Sequence, residues 1–278
     1  MTEISGKKFI SPGAWFSLYY PINWHEFEDM EGSFLFYDPV DWTGNFRISA
    51  FKKDESFRDA MRYGSEAVKK ELKENAAATL VTIGKHQCAY SQENFQEKEI
   101  EYTSHIWVFG QENVSFECSF TVPKGKAADK AKQIISTVEI RKDGVKYPAE
   151  TIPVRIAEIS LIDESYRWTT ELVKATLKKD FQGAEEDLPK LQSVIDNGNI
   201  NTKKRDAWNA IGITLCVIIA NEIEGMEWVT LIDGNREAPV LCYKNEQQID
   251  PMKLVWSKVK AGEICDVVEA YKNVIANL

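Results

Sequence analysis

Phe16-Ser17-Leu18-Tyr19-Tyr20-Pro21-Ile22-Asn23-Trp24 is the stretch that decides the fold. Large apolar residues alternate with smaller or amphipathic ones, a proline closes the run and a tryptophan follows three residues later. Side chains in a strand alternate with a period of two, so Phe16, Leu18 and Tyr20 share one face. Pro21 has no N–H to give to a ladder and marks the strand's exit. The stretch points to a sheet and names no reaction.

Before it, Lys7–Ile10 reads as a short strand ahead of the turn Ser11-Pro12-Gly13. After it, Gly32–Tyr37 and Asn45–Lys52 read as paired strands. They flank the hairpin loop Asp38-Pro39-Val40-Asp41-Trp42-Thr43-Gly44, which has turn residues at both ends. Asp54 or Ser56 is placed to cap a helix running to about Asn75. Thr79–Lys85 reads as a strand, and Glu99–Phe109 with Val114–Val122 as a hairpin. In the last of these Val114, Phe116, Cys118, Phe120 and Val122 alternate with Ser115, Glu117, Ser119 and Thr121. One covered and one wetter face are expected, as in an antiparallel sheet with helices on one side. Lys126–Thr137 is the helix expected to cover it.

The Phe16–Trp24 opening, the strand pair Gly32–Tyr37 and Asn45–Lys52, and the closing strand and helix resemble the PsbP-like fold. That group includes the photosystem protein PsbP, a Ran-binding protein and bacterial secretion chaperones. The resemblance implies a fold for the first half and no catalytic motif; its members differ in partner, so it implies no function. The two-domain arrangement also resembles bacterial families of the Bacteroidetes whose function is unknown.

Arg141–Pro153 is polar, holds Pro148 and Pro153, and is the expected linker. Beyond it the texture turns helical. Helices are expected over about Arg155–Phe181, Asp187–Asn197 and from Asn201 or Thr202 to Glu224. The last holds Ile211–Ala220, apolar nearly all round, and so is expected to be buried. Glu227–Asp233 and Pro239–Tyr243 read as a hairpin whose loop runs through Ala238, followed by helices at Pro251–Lys260 and Cys265–Ala276. The expected class is α+β. An N-terminal antiparallel sheet with flanking helices spans residues 1–143, and a helix-rich domain with a β-hairpin spans 154–278.

The 278 residues carry a formal charge of −9. Residues 1–145 hold 18 basic and 22 acidic side chains, and residues 146–278 hold 16 and 21. Neither half offers the basic footprint that nucleic acid or an anionic membrane requires, so neither is an expected partner. Met1–Lys8 has no apolar run, so no secretory signal is expected. Ile211–Ala220 is about half the ~20 residues that a membrane helix needs. Cys88, Cys118, Cys216, Cys242 and Cys265 are odd in number and contain no Cys-x-x-Cys, so buried free thiols in the cytoplasm are expected.

His25, His86 and His105 show no metal-ligand spacing, and no metal site or cofactor is expected. Glu97, Glu99 and Glu101 fall at i, i+2 and i+4; on one strand they form an acidic face, read here as solvated. Pro123-Lys124-Gly125-Lys126 lacks the residues of a phosphate loop. Cys118 alternates with core positions and is read as a buried thiol. Trp42, flanked by Asp41 in a polar loop that has no local need of it, is a candidate contact residue, since tryptophan is enriched among binding hot spots. Trp107, with His105 nearby on the less apolar face of its strand, is a second. The expected function is therefore non-enzymatic binding of a protein partner, as an adaptor or chaperone-like protein. The alternatives are a small-molecule site between the domains and a carboxylate-dependent hydrolase.

Overall fold

The computed structural model describes residues 6–278 except 31, 41–43, 143 and 199, and only the backbone at 28–30. Its contacts divide the chain into two compact units that meet in sequence at Lys146 and Tyr147. It is an α+β protein with antiparallel sheets.

In the first unit, β1 (Gly6–Ile10) and β2 (Phe16–Pro21) pair antiparallel, and β2 also pairs with the two-residue β10 (Glu139–Ile140). A larger sheet is built from β3 (His25–Met30), β4 (Ser33–Tyr37), β5 (Asn45–Lys52), β6 (Thr79–Ile83), β7 (His86–Glu97), β8 (Ile100–Gln111) and β9 (Val114–Pro123). Its spatial order is β3-β4-β5-β9-β8-β7-β6. One face of this sheet packs on β2 and on α2 (Asp129–Ser136). The alternation in β9 makes that face: Phe116, Cys118, Phe120 and Val122 are buried in the same layer as Phe16, Leu18, Tyr20, Ile134 and Ile135. Trp24 is fully buried and stacks on Phe120 with ring centroids 6.3 Å apart.

The other face carries α1 (Tyr63–Glu74) against β8 and β9. The approach is close because Gly64 lies on Gly110: a Cβ on Gly64 would fall 2.3 Å from the Gln111 nitrogen. The helix starts later than the cap at Asp54 or Ser56 implies. Asp54 Oδ1 accepts the Ser56 N–H at 2.8 Å, and the segment closes into turns before a short 3₁₀ run at Ala60–Arg62.

Three strands of the first unit were not foreseen: β3, β7 and the two-residue β10. β7 matters most, because it overturns the reading of Glu97, Glu99 and Glu101 as one strand face. Lys98 and Glu99 have φ of 45° and 70° and form a two-residue hairpin turn, so Glu97 lies opposite Ile100 and Glu101 opposite Gln96. The turn lacks the Asn-Gly or Asp-Gly that announces such a hairpin in sequence.

The second unit begins with β11 (Glu150–Pro153), which the linker reading had left unstructured. It pairs with β12 (Met226–Asp233), itself paired with β13 (Arg236–Tyr243) and so to β14 (Gln247–Ile249). Asp233 pairs with Arg236, so the expected long loop is the tight turn Gly234-Asn235. Pro239 is tolerated inside β13 because β14 pairs only from Leu241 onwards. The helices are α3 (Ile156–Leu177), α4 (Leu188–Asp196), α5 (Arg205–Glu222), α6 (Ser257–Ala261) and α7 (Val267–Ala276). A π-helical turn, Met252–Trp256, leads into α6. The apolar run of α5 is buried as its composition requires, and the hydroxyls of Thr214 and Thr169 satisfy one another at 2.9 Å between α5 and α3. No helix among the described residues is long and apolar enough to cross a membrane.

Candidate protein-docking site

Asp41 and Trp42 lie outside the described residues. The structure does bring His105 and Trp107 together, but on the covered face of the sheet rather than the wetter one. β8 is central, and its register against β9 sets Thr103 opposite Val122, His105 opposite Phe120 and Trp107 opposite Cys118. These are core positions, so Trp107 is 1% exposed. Its ring lies 5.5 Å from Tyr90 and 5.9 Å from His105. The Tyr90 hydroxyl is hydrogen-bonded to His105 Nδ1 at 2.8 Å and lies 3.1 Å from Gln92 Oε1. Burial, then the Lys132 ammonium of α2, holds the His105 imidazole below the ordinary histidine value, and burial raises the Tyr90 phenol. The group is a packed, neutral aromatic cluster, and the protein itself covers Trp107.

The exposed aromatic surface is on the opposite face. There β8 presents Tyr102, Ser104, Ile106 and Val108, and α1 packs on this face with Gly64 against Gly110. At the other end β7 and β8 run on as an arm. β6 pairs with β7 only as far as Tyr90, so among the described residues β7 is an edge of the sheet from Ser91 to Glu97. Phe95 lies opposite Tyr102, and the two rings stack with centroids 5.5 Å apart and 21° between planes. Phe95 is 43% exposed and Ile100, one pair further out, 50%. Glu93 and Glu97 share the face of Phe95, one on either side of it, and both are exposed. Lys124 instead pairs with Glu101 at 2.9 Å, and Glu101 alternates to the other face. An aromatic pair between two exposed carboxylates suits a cation, which the ring faces attract and the carboxylates neutralise.

The loop that carries Asp41 and Trp42 leaves the sheet at this same end. Tyr37 and Asn45, which flank it, lie on one rung with Thr121, Ser104 and Glu93, and the rung of Pro123, Tyr102 and Phe95 is the next but one. Its base is anchored: Asn23 Nδ2 donates to Asp38 Oδ2, and the Val40 N–H donates to Asp38 Oδ1 at 3.0 Å.

In the second unit the structure gathers two acids that the sequence keeps 79 residues apart. Arg155, just before α3, donates from Nε to Glu158 Oε2 at 2.8 Å and from Nη2 to Glu158 Oε1 at 2.6 Å. The same Nη2 reaches Glu237 Oε2 on β13 at 2.6 Å. Thr230 Oγ1 on β12 donates to Glu158 Oε2 at 3.1 Å. Burial alone would lower the Arg155 pKa, and the two carboxylates more than offset it. Both acids are therefore committed to one guanidinium that fastens α3 to the hairpin.

The family Domain of unknown function (DUF3805) matches residues 4–163, and Domain of unknown function (DUF3806) matches residues 187–271. A crystal structure from Bacteroides thetaiotaomicron VPI-5482 is 60% identical, with a TM-score of 0.93 over 99% of this chain and 100% of its own. The N-terminal half matches PsbP-like structures at low identity. Cyanobacterial PsbP of Synechocystis sp. PCC 6803 is 12% identical, with a TM-score of 0.26 over 50% of this chain and 95% of its own. LpqN of Mycobacterium tuberculosis is 13% identical, with a TM-score of 0.30 over 51% and 88%. Among curated proteins none matches the sequence.

Proposed function

Since the chain belongs to the family Domain of unknown function (DUF3805), which brings no reaction with it, we propose that it is a non-enzymatic protein-binding protein, adaptor or chaperone-like, whose β7–β8 arm takes up a basic, extended segment of a partner. The observation that carries this reading is the Phe95–Tyr102 stack, exposed between Glu93 and Glu97 beside the unpaired edge of β7. An edge strand offers backbone donors and acceptors to an added strand. The alternating side chains of that strand then meet aromatic faces and carboxylates, which selects Lys or Arg. The chain's net charge of −9 favours the same partners. Trp42, in the loop at that end of the sheet, is assigned a second contact. The five buried thiols suit a reducing compartment, and the cytoplasm is the proposed location. A hydrolase reading would need a carboxylate pair left for acid–base work, whereas Glu158 and Glu237 are both held by Arg155.

A labelled peptide alternating Lys and Val tests the proposal by fluorescence anisotropy, with a Glu–Val peptide as control. The Lys–Val peptide is expected to bind, more weakly as salt rises. Phe95→Ala, Glu93→Gln with Glu97→Gln, and Trp42→Ala should each weaken binding by about ten-fold. Phe95→Ala should change unfolding stability by less than ~1.5 kcal/mol, the upper range for an aromatic pair. Equal binding of the two peptides, or binding indifferent to the three variants, rejects the arm as the site.

A further inference from the structure

A cleft in the second unit has a construction that protein binding by the first unit leaves unused. It encloses about 600 Å³ between β14, the π-helical turn, α6 and α7. Its apolar wall is made by Leu231, Ile249, Leu254 and Val274. Lys253, Lys258, Asn273 and Asn277 line its polar side.

The wall is held rigidly. Asp250, buried at the end of β14, receives both Nη1 and Nη2 of Arg236, at 2.7 and 2.6 Å. Its Oδ1 also accepts the Met252 N–H at 3.0 Å, and its carbonyl accepts the N–H groups of Lys253 and Leu254. Behind the turn, Gly212 of α5 comes so close that a Cβ would lie 2.3 Å from the Pro251 carbonyl oxygen. The wide turn that places Lys253 and Leu254 on the cleft is thus anchored from two sides. π-Helical turns are rare and concentrate at functional sites.

The charges do not balance within the cleft. The single carboxylate on its wall, Asp250, is taken up by Arg236, and among the described residues neither Lys253 nor Lys258 has a carboxylate at ion-pair distance. Two ammonium groups beside an apolar wall, with the amides of Gln247, Gln248, Asn273 and Asn277, call for a ligand with an anionic head and an apolar body. The volume lies in the range of small-molecule sites. We propose that this cleft binds a free amphiphilic anion, a carboxylate or phosphate on an alkyl chain of about eight carbons.

Amide chemical-shift titration of the full chain with octanoate and with octyl phosphate tests this. Octanol supplies the tail without the charge, and inorganic phosphate the charge without the tail. At least one of the two amphiphiles should give saturable shifts at Leu254 and Val274, and the head group that binds tighter identifies the ligand class. Octanol and phosphate should each bind at least about ten-fold more weakly. Lys253→Gln with Lys258→Gln should weaken the amphiphile by about ten-fold, leave octanol unchanged and leave thermal unfolding unchanged, since both lysines reach solvent. Octanol binding as tightly as either anion overturns the proposal, as do shifts confined to residues outside the cleft. Sedimentation with phosphatidylglycerol vesicles, without binding of the monomeric amphiphiles, also overturns it and points to a lipid surface.

Discussion

At the scale of single residues, Trp107, His86 and His105 of the first unit pack against the core, and their behaviour follows from burial. Trp107→Ala removes a ring that is 1% exposed and should lower unfolding stability by about 3–5 kcal/mol in urea titration. Peptide binding at the arm should survive wherever the variant is folded. His86 lies against Phe109 and bonds through Nε2 to the Val138 carbonyl at 3.0 Å. Burial depresses its pKa, the Val138 bond partly opposes this, and Lys85 depresses it further. His105 is depressed as well. A histidine depressed by folding binds its proton more readily in the unfolded chain. The stability it supports is complete above the unfolded value, about 6.5, and is lost as pH falls through the folded value. The urea midpoint should therefore drop between pH 7 and pH 5, and less steeply in His86→Gln, whose amide N–H replaces the imidazole donor. An identical slope in the variant would remove His86 as a source.

At the scale of elements, the joints are made by small numbers of groups. α3 is fastened to β12 and β13 by Arg155 with Glu158, Glu237 and Thr230. Arg155→Met leaves a buried carboxylate without its cation and should cost about 3–5 kcal/mol, read by thermal unfolding of the second unit. Glu237→Gln, at a side chain that is partly solvated, should cost much less. If both variants cost the same small amount, the network is not the joint. The β7–β8 arm shows the opposite economy. Its tip is held by backbone pairing, the Phe95–Tyr102 stack and the exposed Lys124–Glu101 pair. A surface pair of that kind contributes little, so substitutions at the tip of the arm should cost the fold little.

For the whole molecule, the change of texture near Lys146 leads to the expectation that the halves fold separately. Each unit has its own core, one built around β9 and α2 and the other around α5. Limited proteolysis should cut between Arg141 and Ala149, ahead of β11, and residues 1–146 and 147–278 should each give a cooperative melt by circular dichroism. Two unfolded fragments would show instead that the halves depend on one another. Much of this organisation was legible in the chain. The Phe16–Tyr20 alternation and the five alternate apolar residues of β9 each bury a periodic face, and the unbroken apolar run of α5 is buried nearly all round; periodicity and composition are local properties of sequence. The outer part of β7 was not legible, because from Gln92 to Glu97 it is wet on both faces and so carries no period. The turn at Lys98-Glu99 was hidden for want of glycine or asparagine. Register was also beyond reach: it is set by hydrogen bonds between distant strands, and it alone decided that His105 and Trp107 face the core while Phe95 and Tyr102 face water. The meeting of Arg155 with Glu237, and of Lys253 with Val274 across a cleft, likewise depends on contacts between segments far apart in the chain. Local composition fixes what each segment is, and only the packing of segments against one another decides what each side chain meets.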